Sequence, residues 1–282
     1  MEIIETVAGI RRALDAWRKT GAVIGFVPTM GALHAGHGSL IETARRETGC
    51  VAVSIFVNPI QFNQQEDYIR YPRPLAVDAE FCRARGADIV FAPAVEEMYP
   101  SPQRTFVEVA GVSARLCGEY RPGHFRGVAT VVSKLFHIVQ PHRAYFGEKD
   151  AQQLAVIRRM AKDLNVPVEI VAVPTVREES GLALSSRNRL LTPEQRAIAP
   201  ALYQALRAAA EMVSGGLRDI ESIKTLALEP LAWHPEIRVE YFEIVDPDEM
   251  QPVEQIAGPV VIAAAVWLGS TRLIDNVQAR PA

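Results

Sequence analysis

Val23-Ile24-Gly25-Phe26-Val27-Pro28-Thr29-Met30-Gly31-Ala32-Leu33-His34-Ala35-Gly36-His37-Gly38-Ser39-Leu40 is the stretch whose reading decides the fold. Residues 23–27 form an apolar run of the kind buried on both faces of a parallel sheet. Pro28 is expected to end that strand, because proline has no N–H to give the ladder. The glycine- and histidine-rich turn then leads into 39–46, where the spacing predicts an amphipathic helix. A strand, a glycine turn and a helix start make an anion site, since free N–H groups and the positive end of the helix dipole face the ligand. His34 and His37 add donors where charge builds up in a reaction. The spacing matches neither G-x-G-x-x-G nor the P-loop pattern, and a His-x-x-His pair suits a metal half-site or two surface residues equally well.

Working outward, apolar residues at helical spacing over 7–19 predict a helix before the first strand, and 51–57 and 87–93 read as further buried strands. A helix is expected over 78–85, an edge strand over 105–109 and a helix over 128–138. Short strands at 144–146 and 168–173 bracket a helix over 152–163. Strands alternating with helices imply a parallel sheet with right-handed crossovers, whose ligands bind beyond the carboxyl ends of the strands where the strand order switches. Beyond about residue 180 the character changes. A single long helix is expected over 193–214, another over 219–228, and strands over 238–245 and 260–267. This predicts a first domain over 1–176 and a smaller α+β domain over 177–282.

The chain has 282 residues, is 49% hydrophobic and 22% charged, and carries a net charge of −3. That charge argues against a nucleic-acid partner. The start Met1-Glu2-Ile3-Ile4-Glu5 lacks the basic and apolar regions of a signal peptide, and the run over 260–268 is too short to span a bilayer. Cys50, Cys82 and Cys117 form no C-x-x-C pair and are expected to be buried thiols. A cytoplasmic protein with no membrane partner and no protein-held metal is expected.

Four other stretches carry chemistry. Asn58-Pro59-Ile60-Gln61-Phe62 follows the second strand, and Gln61 offers a donor and an acceptor to a small ligand or is an ordinary polar loop residue. The polar run 63–75 after it has the length of a lid. Arg121-Pro122-Gly123-His124-Phe125-Arg126-Gly127-Val128 is a site wall or a loop with solvated arginines. Gly147-Glu148-Lys149-Asp150 repeats the strand–glycine–helix plan, with Lys149 as a point charge for phosphate or as an exposed lysine. Leu184-Ser185-Ser186-Arg187 sets an arginine fork beside two hydroxyls, suited to clamping phosphates or to capping a linker.

His34-Ala35-Gly36-His37 resembles the HIGH signature of the nucleotidyltransferase superfamily. The longer string from Pro28 to His37 resembles the pantothenate synthetase (pantoate–β-alanine ligase) family, as do, in order, residues 53–59 with Gln61-Phe62, 121–128, 147–150 with Gln152-Gln153, 184–188, and Trp267-Leu268-Gly269 with residues 272–276. Gly38 departs from the family pattern, where a bulkier residue is usual, and is expected to weaken the helix start slightly. Pro74 and Leu190 replace a more usual Thr and Tyr.

The resemblance implies a doubly wound, Rossmann-like α/β domain followed by the α+β domain acting as a lid. It implies an ATP-dependent ligase joining pantoate to β-alanine through pantoyl adenylate, with Mg²⁺ arriving on ATP, in a homodimer. ATP would lie against Met30, Gly31, Ala32, Leu33, His34, Ala35, Gly36, His37, Gly147, Glu148, Lys149, Asp150, Val176, Leu184, Ser185, Ser186 and Arg187. His37, with His34, Lys149 and Arg187, would be catalytic, His37 being the proton donor. Gln61 and Gln153 would hold pantoate, and Gln61 would also meet β-alanine. A different nucleotidyltransferase and a non-catalytic nucleotide-binding protein are the competing classes. The first would need extra cations for a second phosphate; the second would bind ATP without releasing pyrophosphate.

Overall fold

The computed structural model describes residues 1–282, which divide into two compact units. The first comprises Met1–Val109, Arg121–Glu148 and Val156–Pro174, and the second Ala110–Tyr120, Lys149–Ala155 and Thr175–Ala282.

The first unit holds six strands: β1 (Glu2–Ile4), β2 (Ile24–Thr29), β3 (Cys50–Ile55), β4 (Ile89–Phe91), β5 (Arg143–Gly147) and β6 (Glu169–Val173). They lie in the order β1-β4-β3-β2-β5-β6, and every pair is parallel. From β2 the chain winds one way through β3 and β4, and β5 and β6 lie on the other side. The doubly wound expectation holds, and its switch point lies between β2 and β5. Val27, Val51, Val53, Val90 and Tyr145 from the sheet pack with Leu40, Ile41 and Ala44 of the helix that follows β2. Each valine, leucine or isoleucine side chain among them contributes roughly 1.5–3 kcal/mol by leaving water.

Three local expectations need correction here. Pro28 does not end β2, which runs on to Thr29 and pairs Pro28 with Ser54. Thr29 turns its carbonyl to the N–H of Phe56 on the β3 side, so the nitrogen of Pro28 faces β5, where pairing stops at Phe26. No ladder bond is lost. The helix after the glycine turn spans Ala35–Glu47 rather than starting at 39, because His34 caps it from extended backbone. Residues 105–109 form no strand; the Val107 N–H is satisfied by the Thr130 hydroxyl instead, and the edge of the sheet is β1. The run 63–75 contains a short helix, Gln65–Arg70, with Tyr68 and Tyr71 both packed edge-on against Phe62.

The second unit contains β7 (Ile237–Val245), β8 (Val260–Leu268) and β9 (Thr271–Ala279), antiparallel in that order. Ala205, Leu206, Ala209 and Val213 of one helix and Ile223, Ala227 and Leu231 of the next share a core with Ile262, Ala264 and Val266 of β8. The predicted helix over 193–214 is two helices, Pro193–Ile198 and Ala201–Ser214, because Pro200 at the junction has no N–H for the helix ladder.

Candidate active site

The turn after β2 is shaped by a carboxylate that lies far along the chain. Gly31 adopts φ +83°, and a Cβ there would come within 2.9 Å of Asp78 Oδ2. Only glycine suits both the backbone and the space. Asp78, 2% exposed, accepts the N–H of Ala32 through Oδ2 and that of Leu33 through Oδ1, both at 2.8 Å. Thr29 donates its hydroxyl to the Ser54 carbonyl at 2.7 Å and accepts the Gly31 N–H at 3.3 Å. Met30 to Leu33 are therefore held before any ligand arrives.

His34 and His37 then form a reciprocal cap. His34 Nδ1 accepts the Gly36 N–H at 3.2 Å, and His37 Nδ1 accepts the His34 N–H at 3.3 Å, with ring centroids 4.1 Å apart. An Nδ1 that accepts puts the proton of the neutral ring on Nε2. The two histidines are thus fixed in one tautomer at the positive end of a helix of 13 residues. Gly38 has a steric reason as well: a Cβ there would overlap the Arg85 guanidinium, which stacks 3.5 Å from the Phe81 ring centroid.

Gln61 belongs to the same unit and is 6% exposed, not an ordinary loop residue. Its Oε1 accepts from Asn58 Nδ2 at 3.0 Å, and its Nε2 lies 2.9 Å from Met30 Sδ. Asn58 Nδ2 also donates to the Gly127 carbonyl at 3.1 Å, and Tyr99 donates its hydroxyl to Asn58 Oδ1 at 2.8 Å. The stretch 121–128 is a wall of this cluster. Arg121 Nη1 lies 3.3 Å from His124 Nε2, and since arginine only donates, His124 Nδ1–H is left to donate to the Gln61 carbonyl at 2.9 Å. A Cβ on Gly127 would overlap the Ile60 carbonyl, so glycine lets the helix His124–Val139 approach the Gln61 turn. Burial pushes the Tyr99 phenol up and the Lys134 ammonium, 4.9 Å from its ring centroid, down.

At the end of β5, a Cβ on Gly147 would meet no protein atom within 4 Å, which leaves open space beside the strand end. Glu148, Lys149 and Asp150 form a single tight turn. In the second unit Lys149, Ser185, Arg187, Asn188, Arg272 and Asp275 line an open cleft. Val176 and Leu184 are joined by a backbone bond of 3.0 Å from Leu184 N–H to the Val176 carbonyl, in a small hairpin that also pairs Arg177 with Ala183. Ser185 caps the turn Ser186–Leu190, its hydroxyl accepting the Arg187 N–H at 3.2 Å. The structure thus brings Lys149, Ser185 and Arg187 to one cleft, with Val176 and Leu184 paired beside it. Gln153 is half-buried in this unit, while Gln61 belongs to the other.

Several residues to which the sequence assigns no role support the site. Arg177 grips Asp275 with two bonds, 2.5 and 3.0 Å, and stacks 3.7 Å from the Tyr203 ring centroid. Asn276 donates its amide to the Lys149 carbonyl at 2.9 Å. Asn188 donates to the Ala183 carbonyl at 3.0 Å, which leaves its buried Oδ1 without a partner in a cleft otherwise rich in cations. Gln152, next to Gln153, is spent on structure: it bonds the backbone of Val112, Arg115 and Cys117.

A doubly wound parallel sheet whose central strand feeds a histidine-capped helix start defines an α/β protein with an anion-binding turn at its switch point. Comparison with known proteins narrows the class. The family described as Pantoate-beta-alanine ligase matches residues 2–278, and the chain belongs to that family. It is 55% identical over 278 residues to the pantothenate synthetase of Moorella thermoacetica, covering 98% of each chain. To that of Thermotoga neapolitana it is 52% identical over 276 residues, covering 98% and 99%. The crystal structure of pantothenate synthetase from Thermus thermophilus superposes with a TM-score of 0.93 at 50% identity, over 98% of this chain and 99% of that one. The ligase from Francisella tularensis, described as complexed with beta-gamma ATP and beta-alanine, gives 0.81 at 35% identity, over 98% and 97%. The chain is a ligase that forms pantothenate, with ATP as a substrate.

Proposed function

We propose that the chain joins pantoate to β-alanine in two steps through pantoyl adenylate. A pantoate carboxylate oxygen attacks the α-phosphorus of ATP, the bond from that phosphorus to the bridging oxygen breaks, and pyrophosphate leaves with the electron pair. The β-alanine amine then attacks the activated carbonyl carbon. The tetrahedral intermediate collapses, expels AMP and loses the ammonium proton, leaving the amide. A carboxylate resists amines until its oxygen joins a good leaving group, so the work left to the protein is positioning and charge stabilisation.

The observation that carries this reading is the reciprocal cap of His34 and His37, which turns two preset Nε2 protons and a helix N-terminus to one task. In it, residues 30–37 cradle ATP and His37, as proton donor in a hydrogen bond, turns its Nε2–H to the phosphate oxygens. Lys149 and the Ser185-Ser186-Arg187 turn neutralise charge on the transferring and leaving phosphates, with Gly147 to Asp150, Val176 and Leu184 completing the nucleotide contacts. Gln61 and Gln153 hold pantoate, and Gln61 also meets β-alanine. On this assignment residues 1–176 serve ATP and pantoate, and 177–282 supply the clamp on the leaving phosphates. Mg²⁺ enters on ATP, held by phosphate oxygens and water, as suits an ion that dehydrates reluctantly.

We assign the enzyme to the cytoplasm as a homodimer. No helix is long and apolar enough to cross a membrane, and its three cysteines are free thiols, which suits a reducing compartment. Pyrophosphate release from Mg·ATP with pantoate alone, then AMP on adding β-alanine, tests the scheme. Pyrophosphate that also requires β-alanine would contradict the separate first step.

A further inference from the structure

Gln61 carries an amide whose two ends are opposite in character, and which end meets the substrate decides what the site accepts. The surrounding bonds fix that choice in one direction. The Gly127 carbonyl only accepts, so the group of Asn58 that lies 3.1 Å from it must be the nitrogen. Asn58 Oδ1 then faces Tyr99, which must donate its hydroxyl, at 2.8 Å. The second proton of the same Asn58 nitrogen meets Gln61 at 3.0 Å, so that end of Gln61 must be its oxygen. Its Nε2 is left against Met30 Sδ, a thioether and hence a weak acceptor that a substrate oxygen readily displaces.

We infer that Tyr99 is a positioning residue: together with the Gly127 carbonyl it locks the Asn58 amide, and through Asn58 it holds the Gln61 amide so that its Nε2–H faces the substrate. The ligand group accepted there is an oxygen with lone pairs, a carboxylate or hydroxyl oxygen. An ammonium or amide N–H in that place finds no acceptor. The inference rests on the reading that Gln61 holds pantoate. Tyr99 is well suited to the task, because its ring packs 6.1 Å from that of Phe56 and burial keeps its phenol protonated, so it remains a donor across the working range of pH. Without the hydroxyl, Asn58 Oδ1 loses its donor and only the Gly127 bond still favours this orientation of the amide. Asn58 and Gln61 then exchange between orientations, and part of the population offers pantoate an oxygen.

The test is steady-state kinetics on Tyr99→Phe, Gln61→Ala and the double variant of the full chain, varying pantoate and ATP separately. Removing only a hydroxyl keeps the ring packing, and the melting curve verifies the fold. Tyr99→Phe is expected to raise the KM for pantoate about tenfold, the size of one lost hydrogen bond, with the KM for ATP within about twofold. In the Gln61→Ala background it should add nothing further. An equal rise for both substrates, an equal rise in both backgrounds, or no rise beside a responsive Gln61→Ala each overturns the relay and leaves Gln61 as pantoate ligand. If Gln61→Ala itself leaves the KM for pantoate unchanged, the reading beneath falls and the relay with it.

Discussion

Asp78 and Leu33 are joined by a hydrogen bond of 2.8 Å across 45 residues of sequence, and the other carboxylate oxygen takes the N–H of Ala32. The turn that leads to His34 and His37 is held by a helix residue that lies outside every motif. Asp78→Ala would leave two buried donors unpaired, at about 1–3 kcal/mol each. A loss of about 3 kcal/mol in unfolding free energy is expected, with a raised KM for ATP, and Asp78→Asn should fall between. Urea unfolding with unchanged m reads the first effect. A stable Asp78→Ala with normal ATP kinetics would show that the turn holds itself.

Arg177 and Asp275 form a second brace, beside the hairpin of Val176 and Leu184. Their side chains are 17% and 3% exposed, so Arg177→Met strands a buried carboxylate. Breaking such a pair costs roughly 3 kcal/mol or more, whereas replacing both members with apolar side chains recovers most of it. Arg177→Met should therefore be far less stable than Arg177→Met/Asp275→Leu, as thermal melts will read. Equal losses in the two variants would mean that the lost packing of Arg177 on Tyr203, not the stranded charge, carries the effect.

On the proposed assignments, His37→Ala and Lys149→Ala should each lower turnover by about 10²–10³ while the melting temperature stays near that of the parent, since the groups act on charge in the transition state. Gln153→Ala should raise the KM for pantoate well above any change for ATP. Near-normal turnover in the first two, or equal KM changes in the third, would remove those residues from their roles.

Cys50 and Cys82 give a pH dependence. Burial pushes both thiols from 9.0 up to about 12, with Asp88 adding to the shift at Cys50 and Asp78 at Cys82. Their folded values lie above their unfolded ones, so the unfolded chain releases protons first as pH rises. Stability is whole below about pH 9 and falls through the window up to about 12. Native protein at about pH 8 should resist alkylation at both sites, while the urea-unfolded chain reacts; rapid labelling of the native protein would contradict that burial.

The sequence shows its strand–turn–helix repeats because parallel strands buried on two faces are apolar throughout, and glycine marks the turns. Val23 to Leu40, Gly147 to Asp150 and Leu184 to Arg187 are recognisable locally for that reason. Pro28 and Pro200 mislead in opposite directions. The effect of Pro28 depends on which neighbour its nitrogen faces, a property of the sheet, while the Ala-rich periodicity around Pro200 hides a break that proline chemistry alone predicts. The alternation over 105–109 reads as a ladder, but Thr130 takes its donor. Strand β9, with Asp275 and Asn276 in its middle, does not alternate as a simple strand should, because those polar residues turn to Arg177 and Lys149. Asp78, Asn58 and Tyr99 work through partners distant in sequence or through a chain of bonds, and no spacing rule finds such groups.

The central claim is that a pantoate carboxylate oxygen attacks the α-phosphorus of ATP. Pantoate labelled with ¹⁸O in its carboxylate, converted by the enzyme with ATP and β-alanine, tests it in one mass spectrum. The account predicts one labelled oxygen in AMP and none in pyrophosphate. Unlabelled AMP, or label in a phosphate derived from the β or γ position, would place the attack elsewhere and contradict the adenylate route.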